Sequence, residues 1–255
     1  MFTNVIVKKP CRAMINGITT ADLGKPDYEL ALKQHAAYIE ALRQCGVKVT
    51  VLEADEAYPD SCFVEDTAVL TRKFALITNP GAPSRKGEIE AMVPVIKKFY
   101  GEDRIEYIQS PGTLEGGDVM MVGDHFYIGI SARTNVEGAQ QLIDALKKYG
   151  MSGEMVPLHT ILHLKTGLSY LENNHLLICG EFLENPTFSK FHQIQIAAGE
   201  EYGANCIWVN GKVLVPAGYP QTQKAIESLG YEVLVVDTSE YRKIDGGLSC
   251  LSLRF

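Results

Sequence analysis

Cys206-Ile207-Trp208-Val209-Asn210-Gly211-Lys212-Val213-Leu214-Val215 is the stretch that decides the fold. Two apolar, β-branched runs flank an Asn-Gly pair, which readily takes positive φ at both central positions of a tight turn, so the stretch predicts an antiparallel hairpin. An amphipathic helix over 221–229, ended by Gly230, and an apolar strand over 233–236 follow it. Strand, turn, strand, helix and strand make one ββαβ unit.

Outward from that unit the same order of elements returns with little identity. Before it, a unit opening at His163 carries strands near 168–171 and 176–179 across an Asn-Asn turn, then a poorly helical stretch to Gly199. Another opens at Leu114, pairs 119–122 with 126–128, and carries a helix over 136–149 stopped by Gly150 and a strand at 155–158. The one before that runs from Phe63 through strands 68–70 and 74–78 to an amphipathic stretch and a strand at 105–108. There Pro94 either kinks the helix or moves its start.

The last unit keeps only one strand, 248–253, with Cys250 at its edge beyond a flexible Gly246-Gly247 turn. The N-terminus supplies the missing parts: strand 5–7, a helix with Tyr28, Ala31, Leu32, Ile39 and Leu42 at helical spacing, Gly46, and strand 47–52. The expectation is an α/β fold of five units closed into a ring by the terminal strands, forming a single domain over 1–255. Glu65, Asp66, Glu115, Asp118, His163 and Cys250 then fall at equivalent places in four units, where a third strand hands over to the next first strand. Arranged about an axis, those places converge.

Composition narrows the class of function. A chain of 255 residues that is 46% hydrophobic can bury a sizeable core. Its net charge of −7 comes without any basic run, so nothing marks a nucleic-acid partner. The apolar run at the N-terminus is too short for a signal sequence, and no stretch reaches membrane-spanning length, so a cytoplasmic protein without a membrane partner is expected. Six cysteines lack paired or zinc-finger spacing, consistent with reduced thiols.

A thiolate attacks well only when a positive neighbour lowers the thiol pKa. His163 or a cationic substrate could supply that charge at Cys250, and histidine also carries protons near neutrality. Several carboxylates around one cysteine make chemical sense if the substrate is itself a cation. A guanidinium fits best: it is planar, and its N–H fork matches carboxylate oxygens.

The runs Phe63-Val64-Glu65-Asp66, Gly123-Asp124-His125-Phe126-Tyr127-Ile128-Gly129, Ser131-Ala132-Arg133-Thr134-Asn135, His163-Leu164-Lys165-Thr166-Gly167, Asn205-Cys206-Ile207-Trp208-Val209-Asn210 and 239–247 closely resemble dimethylarginine dimethylaminohydrolase. The resemblance covers the chain from Phe2 to Phe255. It implies a five-bladed α/β propeller of the pentein kind. It also implies hydrolysis of N-omega-methylated arginine to citrulline and dimethylamine or methylamine through a Cys thiouronium, with no cofactor and no metal. By matching position it makes Cys250 the nucleophile, His163 the acid/base, and Glu115 the carboxylate that orients His163 or the guanidinium. Asp66 would grip the guanidinium nitrogens, with Asp60 and Glu65 in the same pocket. Arg85 and Arg133 would pair with the substrate α-carboxylate, and backbone groups of Ile18 and Ile244 would meet the amino-acid end. The polar loop 17–24 resembles a mobile lid. Members of the family are often dimers, so a homodimer is compatible with the resemblance, although no interface patch is legible.

Other readings compete. A deiminase for arginine or agmatine is the nearest. Agmatine has no carboxylate for Arg85 and Arg133, and arginine deiminases carry an inserted helical domain for which this chain has no spare segment. A non-catalytic five-bladed module, or an amino-acid-binding protein without chemistry, would need no central thiol. His159 and His163 lie four apart, a metal spacing on a helix, but a nearby glycine and strand favour chance.

Overall fold

In a computed structural model describing residues 1–255, the elements run β1 (Asn4–Lys8), α1 (Tyr28–Gln44), β2 (Lys48–Leu52), β3 (Ala68–Leu70), β4 (Ala75–Ile77), α2 (Glu88–Ile96), β5 (Ile105–Tyr107), β6 (Val119–Val122), β7 (His125–Ile130), α3 (Val136–Lys148), β8 (Ser152–Pro157), α4 (Leu164–Gly167), β9 (Leu168–Tyr170), β10 (His175–Ile178), β11 (His192–Gln195), β12 (Ile207–Val209), β13 (Lys212–Pro216), α5 (Pro220–Ser228), β14 (Glu232–Val236), α6 (Ser239–Arg242) and β15 (Leu253–Arg254). They form five three-stranded sheets: β15-β1-β2, β3-β4-β5, β6-β7-β8, β9-β10-β11 and β12-β13-β14. In every sheet the middle strand is antiparallel to the first and parallel to the third. The two chain ends share a sheet, as the repeat count requires, with Ile6 opposite Leu253.

Local chemistry explains the elements. Asn210 and Gly211 take φ of 52° and 94°, which turns β12 back onto β13. Helix α1 begins where Asp27 accepts from Leu30 N at 3.0 Å and stops before Gly46, whose φ is 77°. Asn135 caps α3 by accepting from Gly138 N at 2.8 Å, and the helix buries Ala139, Leu142, Ile143 and Leu146 along one face. Each such leucine or isoleucine contributes about 1.5–3 kcal/mol by leaving water. Pro94 lies within the last turn of the short helix α2, which begins at Glu88 and ends at Ile96. There a missing N–H costs one bond without breaking a long helix.

Two compact units divide the chain. The first, Met1–Val64 with Thr166–Arg254, contains the sheets β15-β1-β2, β9-β10-β11 and β12-β13-β14. One of its cores packs Val5, Tyr38, Leu42, Val209, Leu214 and Leu248, and another packs Leu177, Val213, Val215 and Ile226. The second, Glu65–Lys165 with Phe255, contains the other two sheets around Phe74, Leu76, Phe126, Ile128, Leu142 and Leu146.

Two expectations need correction. The stretch before Gly199 contains a third strand, β11, parallel to β10. His-Gln-Ile-Gln carries a single apolar residue, too little for a periodicity to show. Cys250 is also not on a strand: 249–251 form a 3-10 turn, and only 253–254 pair with β1. The alternation Leu248, Leu251, Leu253 reads as strand, but Leu248 takes helical angles of −58° and −40°.

That turn has counterparts. A short helical turn stands shortly before the first strand of every unit: Val64–Thr67, Gly116–Asp118, Leu164–Gly167, Glu201–Ala204 and Ser249–Leu251. Side chains from one turn or its edge pin the next. Asp66 Oδ1 accepts from Gly117 N at 2.8 Å, Asp118 Oδ1 from Leu164 N at 3.0 Å, and Asn205 Oδ1 from Ser249 N at 2.9 Å. Ser169 Oγ donates to Ala204 O at 2.7 Å. The residues singled out for chemistry sit on or beside these turns.

Candidate active site

In the second compact unit the turns bring Asp66, Glu115 and His163 together, with one polar atom of each within 4.8 Å of the others. His163 Nε2 lies 2.7 Å from Glu115 Oε2. Glu115 is fully buried, and its Oε1 accepts from Ala82 N at 3.0 Å and from Arg133 Nη1 at 3.3 Å. Glu115 is thereby fixed against the imidazole. Burial opposes a charge on His163, but the charge of Asp66, the bond to Glu115 and the charges of Asp118 and Glu115 outweigh it, raising the imidazole to about 9. Near neutrality the ring is an imidazolium.

Asp66 is balanced the other way. Burial pushes its carboxyl up, and Arg85, His163, and hydrogen bonds from Arg85 and Gly117 bring it down to about 2. Arg85 Nη1 donates to Asp66 Oδ2 at 2.6 Å, while its Nε and Nη2 hold Glu88 at 3.0 and 2.8 Å. The side-on fork that would grip a substrate carboxylate is already filled by Glu88, a residue the sequence reading passed over although it lies one helical turn away. Arg133 is the less enclosed arginine, its side chain 16% exposed. Glu65 is ion-paired with Lys165, 2.5 Å from Nζ to Oε1.

An imidazole and two carboxylates form a donor set that a cation could share. Here the positive partner of Asp66 is Arg85, and the His163 nitrogen is bonded to Glu115, so these donors are already taken up by the protein's own groups. The His159–His163 spacing carries no helical meaning, since 159–163 form a bend. Within this unit Glu65, Asp66, Glu88, Glu115 and Asp118, five carboxylates, face Arg85, Arg133, Lys165 and the His163 imidazolium, four cations. The surplus is negative and suits a cationic ligand.

The first compact unit carries the thiol. Cys250 is half-buried, whereas the other five cysteines are buried. Its turn is held from three sides. Tyr38 OH donates to Leu248 O at 2.8 Å, Asn205 clamps Ser249 through its backbone N and hydroxyl at 2.9 and 3.1 Å, and Tyr202 OH donates to Gly246 O at 2.8 Å. Gly247 N approaches the sulfur at 3.4 Å. The Gly-Gly pair is thus not a flexible release. A Cβ on Gly246 would stand 2.2 Å from the Phe63 ring, and one on Gly247 would stand 2.6 Å from the Asn205 amide, so both are glycine for close packing.

The same unit joins Ile18, Asp60 and Ile244. Asp60 is buried, and its Oδ1 accepts from Ile18 N at 3.0 Å. Gly17 sits against both Asp60 and Ile244. The loop beyond it exposes Ile18 and Leu23 and is tied down at Asp245, whose carboxylate accepts from Thr20 N at 2.6 Å and from the Thr20 and Thr19 hydroxyls. No helix of the protein is long and apolar enough to cross a membrane.

Residues 18–191 match the family described as N,N dimethylarginine dimethylhydrolase, eukaryotic. Over 255 residues, all of both chains, the sequence is 56% identical to an N(G),N(G)-dimethylarginine dimethylaminohydrolase of Pseudomonas aeruginosa. A relative of the same name in Streptomyces coelicolor is 34% identical over 252 residues, 98% of this chain and 95% of its own. Among solved structures, a cysteine-to-serine form of the Pseudomonas aeruginosa protein complexed with citrulline superposes with a TM-score of 0.99 over 100% of both chains, at 56% identity. The N-terminal domain of a cyanobacterial arginine dihydrolase shares the fold at 15% identity and a TM-score of 0.86 over 100% of this chain and 97% of its own. The five-bladed α/β propeller that the resemblance implies is the fold class. Likeness over the whole length, at 56% identity and with a matching family model, makes this chain a member of the dimethylarginine dimethylaminohydrolase family.

Proposed function

We propose that the protein hydrolyses N-omega-methylated arginine, asymmetric dimethyl or monomethyl, to L-citrulline and dimethylamine or methylamine. The observation that carries this reading is the His163 imidazolium, buried among Asp66, Glu115 and Asp118 and raised to about 9: an acid ready to protonate a departing amine. The Pseudomonas aeruginosa relative complexed with citrulline, and a dimethylarginine dimethylaminohydrolase at 56% identity seen as an adduct with S-methyl-L-thiocitrulline, support a guanidine substrate and a covalent step.

The steps balance as follows. Cys250 thiolate adds to the central guanidinium carbon, and the tetrahedral adduct loses its methylated nitrogen as that C–N bond breaks, with His163 giving the proton. A thiouronium on Cys250 and a neutral imidazole remain. His163 then takes a proton from water as the oxygen adds to the same carbon. Breaking the C–S bond returns the thiolate, and the protonated urea loses a proton to solvent to give citrulline. Glu115 holds the imidazole in line, and Asp66 accepts from the guanidinium with the lone pairs left by Arg85 and Gly117. Glu65 and Asp60 add negative charge, Arg133 and Arg85 are assigned to the α-carboxylate, and backbone groups of Ile18 and Ile244 meet the amino-acid end.

On this reading residues 1–255 act as one catalytic domain. The protein works in the cytoplasm, as free thiols throughout favour, and as a homodimer, in keeping with the habit of its family. Incubation with arginine, monomethylarginine, asymmetric dimethylarginine and agmatine in parallel, with citrulline and amine both measured, tests the reading. Preference for unmethylated arginine, or binding without amine release, overturns it.

A further inference from the structure

Asp118 takes no step in that chemistry, yet it is fully buried and its two oxygens hold two different segments. Oδ1 accepts from the N–H of Leu164, the residue after His163, at 3.0 Å. Oδ2 accepts from the Ser131 hydroxyl at 2.7 Å. Ser131 Oγ in turn accepts from Arg133 N at 2.9 Å and from Thr134 N at 3.1 Å. One carboxylate therefore sets both the backbone that carries the imidazole and the turn from which Arg133 departs.

We propose that Asp118 is a positioning residue which fixes the spacing between His163 and Arg133, and so between the proton-transfer end and the carboxylate-recognition end of an amino-acid substrate. The assignment rests on the functional reading of those two residues given above. Burying a carboxylate is costly unless it is fully hydrogen-bonded, so a carboxylate at a position where a neutral acceptor would serve as a plain tether needs a further reason. Its bonds to Leu164 and Ser131 end on a carboxylate and are stronger than bonds to a neutral acceptor, and misplacing reacting groups by an ångström costs orders of magnitude in rate. The charge of Asp118 also acts on the imidazole, together with those of Asp66 and Glu115, which are shared with Arg85 and Arg133. Removing its charge alters the proton affinity of His163 as well as its place.

The test uses the full-length Asp118→Asn and Ser131→Ala proteins, with asymmetric dimethylarginine kinetics and an NMR titration of the His163 imidazole. Asparagine keeps the shape and drops the charge. The His163 titration should move down by about one unit, a tenfold loss of proton affinity, and kcat should fall by about tenfold or more. Ser131→Ala cuts the link to the Arg133 turn and takes one hydrogen bond from the Asp118 carboxylate while leaving the Leu164 bond, so KM should rise by about tenfold while the His163 titration moves less than in Asp118→Asn. An unshifted His163 titration in Asp118→Asn overturns the assignment. So does a wild-type KM in Ser131→Ala, which decides the matter if the asparagine protein does not fold. Wild-type protein that released no amine would sink the functional reading instead, and the titration would still score Asp118.

Discussion

His163 Nε2 and Glu115 Oε2 stand 2.7 Å apart, and Glu115 is fully buried while also holding Ala82 N and Arg133 Nη1. Glu115→Gln preserves the shape but cannot neutralise an imidazolium. The His163 pKa should fall from about 9 toward the ordinary range, and kcat should drop by about 10–100-fold, the worth of a charge-assisted hydrogen bond. A rate–pH profile of the variant beside wild type reads both effects; identical profiles would show that the pair does not act in turnover.

The same raised pKa links stability to pH. His163 titrates near 9 in the folded protein and near 6.5 when unfolded. Its contribution is therefore complete below pH 6.5 and is lost as pH rises through 9. Urea midpoints measured across that range should fall for wild type, and the decline should be smaller in His163→Gln. The difference should be a few kcal/mol at most. Asp66 has the opposite sign: lowered to about 2, it stabilises above the ordinary Asp value of 3.8 and fails as pH drops through 2.

Neighbouring glycines in the turn before β6 should respond differently to alanine. A Cβ on Gly116 would lie 1.9 Å from Glu65 O, a backbone clash that only chain movement relieves. One on Gly117 would lie 2.9 Å from His163 Cγ and Nδ1, where the ring can shift. Gly116→Ala should lose stability by about 2–4 kcal/mol, whereas Gly117→Ala should keep most of its stability and lose rate. Thermal melts alongside kcat separate the two; equal losses in both measures would refute the distinction.

Much of this architecture could be read before any coordinates. The Asn210-Gly211 hairpin and the capped, amphipathic helix at 136–148 depend on chemistry local to a few residues, and local chemistry is what a sequence displays. Strand β11 was not legible, because His192 and the glutamines beside Ile194 give no period. The Cys250 turn was misread because an apolar run cannot distinguish a strand from a turn clamped by Tyr38 and Asn205, both more than 40 residues away in sequence. Asp66, Glu115 and His163 were found as residue types at equivalent places in a repeat. Glu88 and Lys165, the partners of Arg85 and Glu65, lack any signal beyond charge, since what makes them matter is a tertiary bond.

Thiol reactivity should single out Cys250. It alone among six cysteines is not buried, and burial pushes the Cys45 and Cys179 thiols up to about 11. Brief iodoacetamide treatment followed by peptide mapping should place the first carboxamidomethyl group on Cys250, with loss of activity in step and protection by substrate. Cys250→Ser should keep the fold and abolish turnover. Alkylation of another cysteine at the same rate as inactivation would move the nucleophile elsewhere.

Asp245 is the anchor of the loop at 17–24, and its backbone makes the loop's release measurable. It sits at a φ of 58°, in the left-handed region that asparagine, aspartate and glycine tolerate, while its carboxylate takes three hydrogen bonds from Thr19 and Thr20. Asp245→Gly removes those bonds without backbone strain, so the effect belongs to the latch alone. Each exposed bond is worth about 0.5–1.5 kcal/mol, enough together to shift a loop equilibrium without threatening the buried core. Limited proteolysis within 17–24 should quicken by about tenfold or more, and KM should rise severalfold because Ile18 N is held to Asp60 by the same loop. Asp245→Asn, which keeps one acceptor oxygen, should fall between glycine and wild type. Unchanged cleavage rates in the glycine variant would mean that the loop is fixed by contacts other than Asp245.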